Sequence, residues 1–138
     1  GLGAAPVLSR ALEYNYEIAD RYSMLYALNG STSWATHVET APAITASLLL
    51  EANAEGMGFL TDMRNGDFVF IRASATGPTI AGAEDYSFEC DLAARVVDVD
   101  PFSDQDGVYA INWKIEAFLD PTWGDATEIR IINNLASL

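Results

Sequence analysis

The stretch YSFECDLAARV, residues 86–96, decides the fold class, because apolar and polar residues alternate along it. A period of two places successive side chains on opposite faces of a β-strand. The stretch therefore predicts a long strand with one face in the core and one face in water. The apolar series assigned to the core face is Tyr86, Phe88, Cys90, Leu92, Ala94 and Val96.

A second alternating stretch, YAINWKIEAFL at residues 109–119, follows after a short polar connection. The connection ends in Asp106-Gly107, a dipeptide typical of the tight turns that join antiparallel strands. We therefore predict that Tyr86–Val99 pairs with Val108–Leu119 as an antiparallel hairpin, with Ile111, Trp113 and Ile115 in the core.

The remaining chain predicts further strands and one helix. Strands are expected at residues 11–18, 34–38, 44–52, 67–75 and 128–135, from alternation or from apolar runs bounded by turn residues. Only Ala54–Arg64 has helical spacing, and Asn65-Gly66 supplies its stop. Roughly seven strands and one short helix predict a mainly β fold, an antiparallel β-sandwich or barrel with one short flanking helix, since parallel sheets need many crossover helices. We expect residues 1–138 to form a single domain.

The chain is strongly acidic, with 7 Lys and Arg against 20 Asp and Glu, and a formal net charge of −13. A surface of this sign repels phosphate backbones and anionic membranes, so specific nucleic-acid binding and membrane association are disfavoured. It remains compatible with a protein that surrounds DNA without gripping it. The apolar runs are too short to span a membrane, and residues 1–6 lack the basic start of a signal peptide.

No motif for catalysis or metal binding withstands inspection. The aspartates between residues 98 and 106 do not have EF-hand spacing, because counting back from Gly107 at loop position six puts Phe102 at position one. His37 is the only histidine, and no nucleophile elbow accompanies it. Cys90 falls on the apolar side of its strand, where cysteine usually acts as a small buried hydrophobe. We therefore expect no enzymatic activity and no cofactor or metal.

The distribution of charge along the strands is more informative. Long strands with one wet, acidic face suit a sheet that packs its apolar side inward and turns its polar side to solvent or to a channel. Alternation does not decide between these two. The residues on the predicted polar face are Glu89, Asp91, Arg95, Asn112, Lys114 and Glu116, with Glu13, Asn15 and Glu17 from the first strand.

Several segments resemble one known family. Residues 44–66, ITASLLLEANAEGMGFLTDMRNG, resemble a strand–helix step of the tail tube subunits, or major tail proteins, of siphophage-type long-tailed bacteriophages. Residues 67–72, DFVFIR, are similar to the strand that follows it. Residues 103–113 and 120–126 resemble the C-terminal hairpin and last strand of such proteins from phages of actinobacterial hosts. The resemblance covers most of the chain.

The resemblance implies a structural protein of the virion. Subunits would form homo-hexameric rings with a shared barrel around a lumen, and stacked rings would form the tail tube that conducts double-stranded DNA without binding it specifically. Implied partners are further copies and other tail proteins at the tube ends, with assembly in the host cytoplasm and no membrane. The expected lumen-lining residues are Glu89, Asp91, Asn112, Lys114 and Glu116, with Glu13 and Glu17. Ring-to-ring contacts are expected from two loops, residues 29–34 with Asn29 and Trp34, and residues 77–84 with Pro78 and Ile80.

Two alternatives stay open on the sequence. A tube of a contractile injection system or of a gene transfer agent would look alike at this level. A carbohydrate- or calcium-binding β-sandwich module is the alternative of a different class, with Trp34 and Trp123 as exposed ligand platforms.

Overall fold

The protein was studied as a computed structural model, which describes residues 7–27, 30, 32–82 and 84–134. Within this part, strands dominate and the helical structure is one three-residue 3-10 turn, Gly56–Gly58, followed by helix α1, Phe59–Asn65. The strands are β1 Ala11–Ala19, β2 Tyr22–Leu25, β3 Thr36–Glu39, β4 Ala43–Glu51, β5 Val69–Ala81, β6 Glu84–Val99, β7 Ser103–Gln105, β8 Val108–Ala117 and β9 Thr127–Ile132.

Seven strands form one antiparallel sheet, and two form a separate ribbon. The sheet has the order β1-β4-β8-β6-β5, with β7 beside β8 and β9 beside β6, whereas β2 pairs with β3. The fold is therefore mainly β and antiparallel with one short helix, as the sequence predicts, and its curled sheets are consistent with a β-sandwich or barrel.

Strand β6 is the longest described strand, and it pairs with neighbouring strands along both of its edges. One edge pairs with β5, and the other pairs first with β9 and then with β8. The change of partner occurs at Ala93, whose N–H donates to the Ala126 carbonyl and whose carbonyl accepts from the Phe118 N–H. Two strands from the C-terminal part of the chain thus share one edge of β6.

The predicted pairing of residues 86–99 with residues 108–119 is confirmed, with one difference. Pairing runs from Ala94–Ala117 to Val99–Trp113, so only the C-terminal half of β6 takes part. The tight turn joins β7 to β8 instead, and Asp106 and Gly107 both have positive φ angles, 54° and 89°. Two positive φ angles are typical of the two-residue turns whose twist matches antiparallel strands.

The core lies on one face of the sheet. Trp113 is fully buried there, and the ring of Phe59 from helix α1 lies 6.0 Å from it, centroid to centroid. Met57, Leu60 and Met63 pack on the same core, so the helix covers this face as an amphipathic lid. The core consists of Ala46, Leu48, Leu50, Ile71, Leu92, Ala94, Val96, Ile111, Trp113 and Ile115.

Strand β1 brings two tyrosines to the core side of β6 and β9. The Tyr16 hydroxyl lies 3.0 Å from Oγ1 of Thr127, a residue 111 positions away in sequence. Tyr14 lies beside Cys90, and burial raises the pKa of its phenol. These contacts reach from the strand at one end of the sheet order to strands near the other end, so the sheet curls around its core.

Phe88 is not in the core, and this prediction is wrong. The residue lies on the core side of β6, yet it is 42 % exposed. Its partner Ile131 on β9 and the nearby Ile129 are exposed to a similar degree. Helix α1 and the two tyrosines of β1 pack on the core, and this cover ends before Phe88. Alternation correctly predicted that Phe88 lies on the core side of the sheet, but it did not predict how much of that side other elements cover.

The expected loop at residues 77–84 is also wrong. Strand β5 continues to Ala81 and pairs with β6 as far as Ala81–Glu84. Pro78, which has no N–H to donate, lies where the register shifts between Thr76 and Thr79. The segment is the far end of a long hairpin in which Pro78 is exposed and Ile80 is half-buried.

Candidate functional site

The face of the sheet opposite the core, called the polar face below, brings most predicted lumen residues together. Pairing register places them in adjacent rows across β1, β4, β8 and β6. Five of the predicted residues share these rows, whereas Glu89 and Asp91 lie farther along β6. The rows are Glu13, Leu49 and Asn112; Asn15, Ser47, Lys114 and Asp98; and Glu17, Thr45, Glu116 and Arg95.

Lys114 is the centre of a charged network on this face. Its Nζ lies 2.8 Å from Oδ1 of Asp100 and 3.2 Å from Oδ2 of Asp98. Asn112 donates from Nδ2 to the other Asp100 oxygen at 2.9 Å. The β-bulge between Val96 and Asp98 shifts the register by one residue, and Asp98 thereby comes opposite Lys114. The sequence did not predict these two aspartates as part of the face.

The network shifts the pKa values of its members in opposite directions. The hydrogen bonds to Asp100 and then to Asp98 raise the pKa of Lys114. The Lys114 and Asn112 hydrogen bonds lower the pKa of Asp100, and the Val99 backbone and then Lys114 lower that of Asp98. The lysine charge is thus held by two carboxylates on the same face.

The polar face is concave over these rows. An open groove of about 560 Å³ has Glu17, Ser47, Lys114 and Glu116 in its walls. A second groove of about 280 Å³ lies along Glu13, Asp100 and Asn112. Polar and charged side chains, together with the exposed Val97, therefore line a trough in the sheet rather than a flat outer surface.

Farther along β6, the same side carries a second ionic cluster. Arg72 of β5 donates from Nε and Nη2 to the two oxygens of Asp91, each at 2.6 Å. Arg130 of β9 bonds Glu89 at 2.9 Å and Glu128 at 2.7 Å. Its hydrogen bond lowers the pKa of Glu128.

Asp91 is therefore not a solvent-facing carboxylate, which corrects the expectation from alternation. Its residue is 2 % exposed, because the Arg72 side chain covers it from the neighbouring strand. A buried carboxylate needs such a partner, since an isolated charge is costly to remove from water. Arg72 is evident in the sequence, but the β5–β6 register that places it opposite Asp91 is not.

Arg95 lies between the two charged regions, surrounded by aromatic rings. Its guanidinium carbon is 4.5 Å from the ring centroid of Phe68 and 5.5 Å from that of Phe118. Phe70 stacks on Phe68 at 6.4 Å and is 45 % exposed. Glu116 is its cross-strand neighbour, yet the arginine contacts the rings and forms no ion pair with Glu116.

The β2–β3 ribbon projects large apolar side chains into solvent. In the described part of the chain its two strands pair with each other alone, over Tyr22–Glu39 to Leu25–Thr36. His37 packs edge-on against Tyr22 and Trp34, at 5.5 and 6.0 Å between ring centroids. Trp34, expected in a ring-to-ring loop, is half exposed two residues before β3, and Asn29 lies outside the described residues. The ribbon also exposes Met24, Leu25, Tyr26 and Val38.

The residues of the alternative binding module lie apart from the groove. Trp123 is half-buried in the 120–125 turn, where its backbone N–H donates to Oδ1 of Asp120 at 2.6 Å. Neither Trp34 nor Trp123 lines the trough on the polar face. Among the described residues, no group of three or more His, Cys, Asp or Glu side chains is arranged to hold a metal ion. In the same part of the chain, no helix has the length and apolar character needed to cross a bilayer.

The chain was compared with known proteins. No protein-family model matches it, and a search of curated proteins finds no matching sequence.

Proposed function

We propose that the protein is a tail tube subunit of a long-tailed bacteriophage, which forms rings that stack into a tube for DNA passage. The observation that carries the proposal is the concave polar face, an acidic trough on the outer side of a sheet whose other side is filled by the core. A subunit that lines a channel needs such a face, because its inner wall must be both hydrated and curved.

The charges of this face suit passage of DNA without binding. Affinity for DNA comes chiefly from lysine and arginine side chains that neutralise phosphates. Lys114 is held by Asp98 and Asp100. The adjacent row carries Glu17 and Glu116 against the single positive charge of Arg95, so it is net negative. A duplex in such a channel meets repulsion from the wall and stays mobile.

The edges of the fold support assembly with further copies. Strands β1 and β5 end the main sheet order, so each has an edge without a partner strand in the described part of the chain. The β2–β3 ribbon is marginal as an isolated two-stranded unit and exposes apolar side chains that a solvated ribbon does not need. Ring closure would protect both features, with interfaces of more than about 1,000 Å².

Electron microscopy of the purified full chain tests the proposal directly. Rings or stacked tubes are expected in negative stain, with six-fold symmetry and a central channel. A monomer at every soluble concentration, or a monomer that binds a glycan, would refute it.

A charge-reversal pair tests which surface lines the channel. Glu17→Lys with Glu116→Lys should make assembled tubes retain double-stranded DNA at low salt and lose it at high salt, measured by fluorescence anisotropy. Glu55→Lys with Asp67→Lys, two reversals away from the polar face, is the matched control. Equal retention by both variants would show that the polar face does not line the channel.

A further inference from the structure

Arg95 differs from most basic residues of this protein in its lack of an acidic partner. Arg10, Arg21, Arg72, Lys114 and Arg130 all form ion pairs. Among the described residues, no carboxylate lies within ion-pair distance of Arg95, even though the chain carries a net charge of −13. Its charge is exposed and has only aromatic rings beside it.

The surroundings of Arg95 have the composition of a docking site for an acidic, aromatic segment. The residues Phe68, Phe70, Arg95 and Phe118 are called the Arg95 cluster. Stacking on Phe68 and Phe118 orders the guanidinium and leaves its N–H edges able to donate to a carboxylate. Phe70 and Phe118 remain 45 % and 39 % exposed, so apolar surface borders the charge.

The opposite end of strand β8 carries a complementary segment. Residues Phe102–Tyr109, the acidic turn, contain Asp104 and Asp106 around the Asp106-Gly107 turn. The aromatic residues at its ends are exposed by 58 % for Phe102 and 70 % for Tyr109. Oδ1 of Asp104 accepts the Gly107 N–H, which fixes the turn and leaves Asp106 at its tip.

The two surfaces cannot meet within one molecule. Glu116, the cross-strand neighbour of Arg95, is eight residues along β8 from Val108 at the turn, which is roughly 25–30 Å at the rise of a β-strand. A molecule with complementary surfaces at opposite ends associates head to tail, in a heterologous contact that repeats. We propose that the acidic turn of one copy docks on the Arg95 cluster of the next copy. This rests on the proposed function, for which it supplies a contact between successive subunits.

A double-mutant cycle on the full chain tests the contact. Arg95→Gln removes the positive charge, and Asp106→Asn removes the negative charge while keeping a residue that tolerates the positive φ angle. Each variant should raise the concentration needed for assembly roughly tenfold, as measured by sedimentation velocity. The double variant should need no higher a concentration for assembly than the more impaired of the two single variants, because both changes break the same contact.

Matched controls and the range of outcomes make the test decisive. Arg64→Gln, at another arginine without an ion pair, and Asp20→Asn, at another aspartate with positive φ, should leave assembly unchanged. Thermal unfolding checks that every variant is folded. Unchanged assembly in the single variants, or fully additive effects, would overturn the contact and leave the tube proposal standing. Open chains that depend on Arg95 and Asp106 but form no rings would keep the contact and overturn the tube, and a monomeric wild type would overturn both.

Discussion

Gly56 and Gly58 look equivalent in the sequence Gly-Met-Gly, but their surroundings differ. A Cβ at Gly56 would collide with the carbonyl oxygen of Glu51, whereas a Cβ at Gly58 would meet no atom within 4 Å. Gly58 also has helical φ and ψ angles of −57° and −38°. Gly56 therefore permits the close approach of the 3-10 turn to the end of β4.

Alanine substitutions should separate the two glycines. Gly56→Ala should lower the free energy of unfolding by about 1–3 kcal/mol through overpacking. Gly58→Ala should raise it by about 0.5–1 kcal/mol, because alanine loses less backbone entropy in a helical conformation. Urea denaturation measures both, and a change of the same sign in the two variants would contradict the assignment.

Two ion pairs of β6, Arg72–Asp91 and Arg130–Glu89, should differ in how much they contribute to the free energy of unfolding. Asp91→Asn removes the bidentate carboxylate from the Arg72 guanidinium, whose side chain is only 27 % exposed, and should cost about 2–4 kcal/mol. Arg130→Gln is the matched control in an exposed pair and should cost less than about 1 kcal/mol. Denaturant midpoints of the two variants measure the difference, and equal losses would show that the burial of Asp91 has no energetic consequence.

The Lys114 network should make stability depend on pH at both extremes. Folding lowers the pKa of Asp98 and Asp100, so their contribution is complete above the ordinary aspartate pKa of about 3.9 and is lost as pH falls through the lowered values. Folding raises the pKa of Lys114, so its contribution is complete below the ordinary lysine pKa of about 10.4 and is lost as pH rises through the raised value.

Lys114→Gln should therefore flatten the stability curve at acid and alkaline pH relative to the wild type. Urea denaturation across the pH range measures the curve, with Arg64→Gln as the control. Identical pH profiles for wild type and Lys114→Gln would mean that solvent screens the network completely.

At the scale of elements, the sequence predicted the face of the strand on which each side chain lies better than it predicted the burial of that side chain. Alternation in β1 and β8 correctly separated Trp113 from Glu17 and Lys114. It misjudged Phe88 and Asp91, because cover depends on elements distant in sequence. Helix α1 does not reach Phe88, and Arg72 reaches Asp91 only through the β5–β6 register.

The β2–β3 ribbon should be dispensable for folding but not for assembly. Residues Asp20 and Thr40 meet at its base, where the Thr40 hydroxyl donates to the Asp20 carbonyl, so a two-glycine link can replace residues 22–39. The shortened chain should unfold at a midpoint close to that of the wild type, because β2 and β3 form a sheet separate from the main one. It should also fail to form rings or tubes in electron micrographs. Normal tubes from the shortened chain would remove the ribbon from the assembly contacts.

At the scale of the whole molecule, the proposed tail tube function depends on the core and the acidic trough lying on opposite faces of the sheet. One face holds the core, and the opposite face holds the acidic trough. The sequence predicted the mainly β class and most residues of the polar face, since both follow from period two. It did not predict the Arg95 cluster, because Phe68, Arg95 and Phe118 come from three segments that only the folded sheet brings together.

The change of partner strand at Ala93 divides the molecule into parts that should open separately. In the described part of the chain, the backbone of β9 pairs with the first half of β6 alone, and its residues Ile129 and Ile131 are about half exposed. Strand β8 lies between β4 and β6 with Trp113 fully buried. Amide hydrogens of β9 should therefore exchange with deuterium through a local opening of low free energy, while those of β8 should exchange only on global unfolding. Equal protection of Ile131 and Trp113 in native-state exchange would mean that the sheet opens as one unit. With the predicted order, detachment of β9 bares one edge of β6 while the core stays folded, and a strand from a neighbouring chain can then take its place.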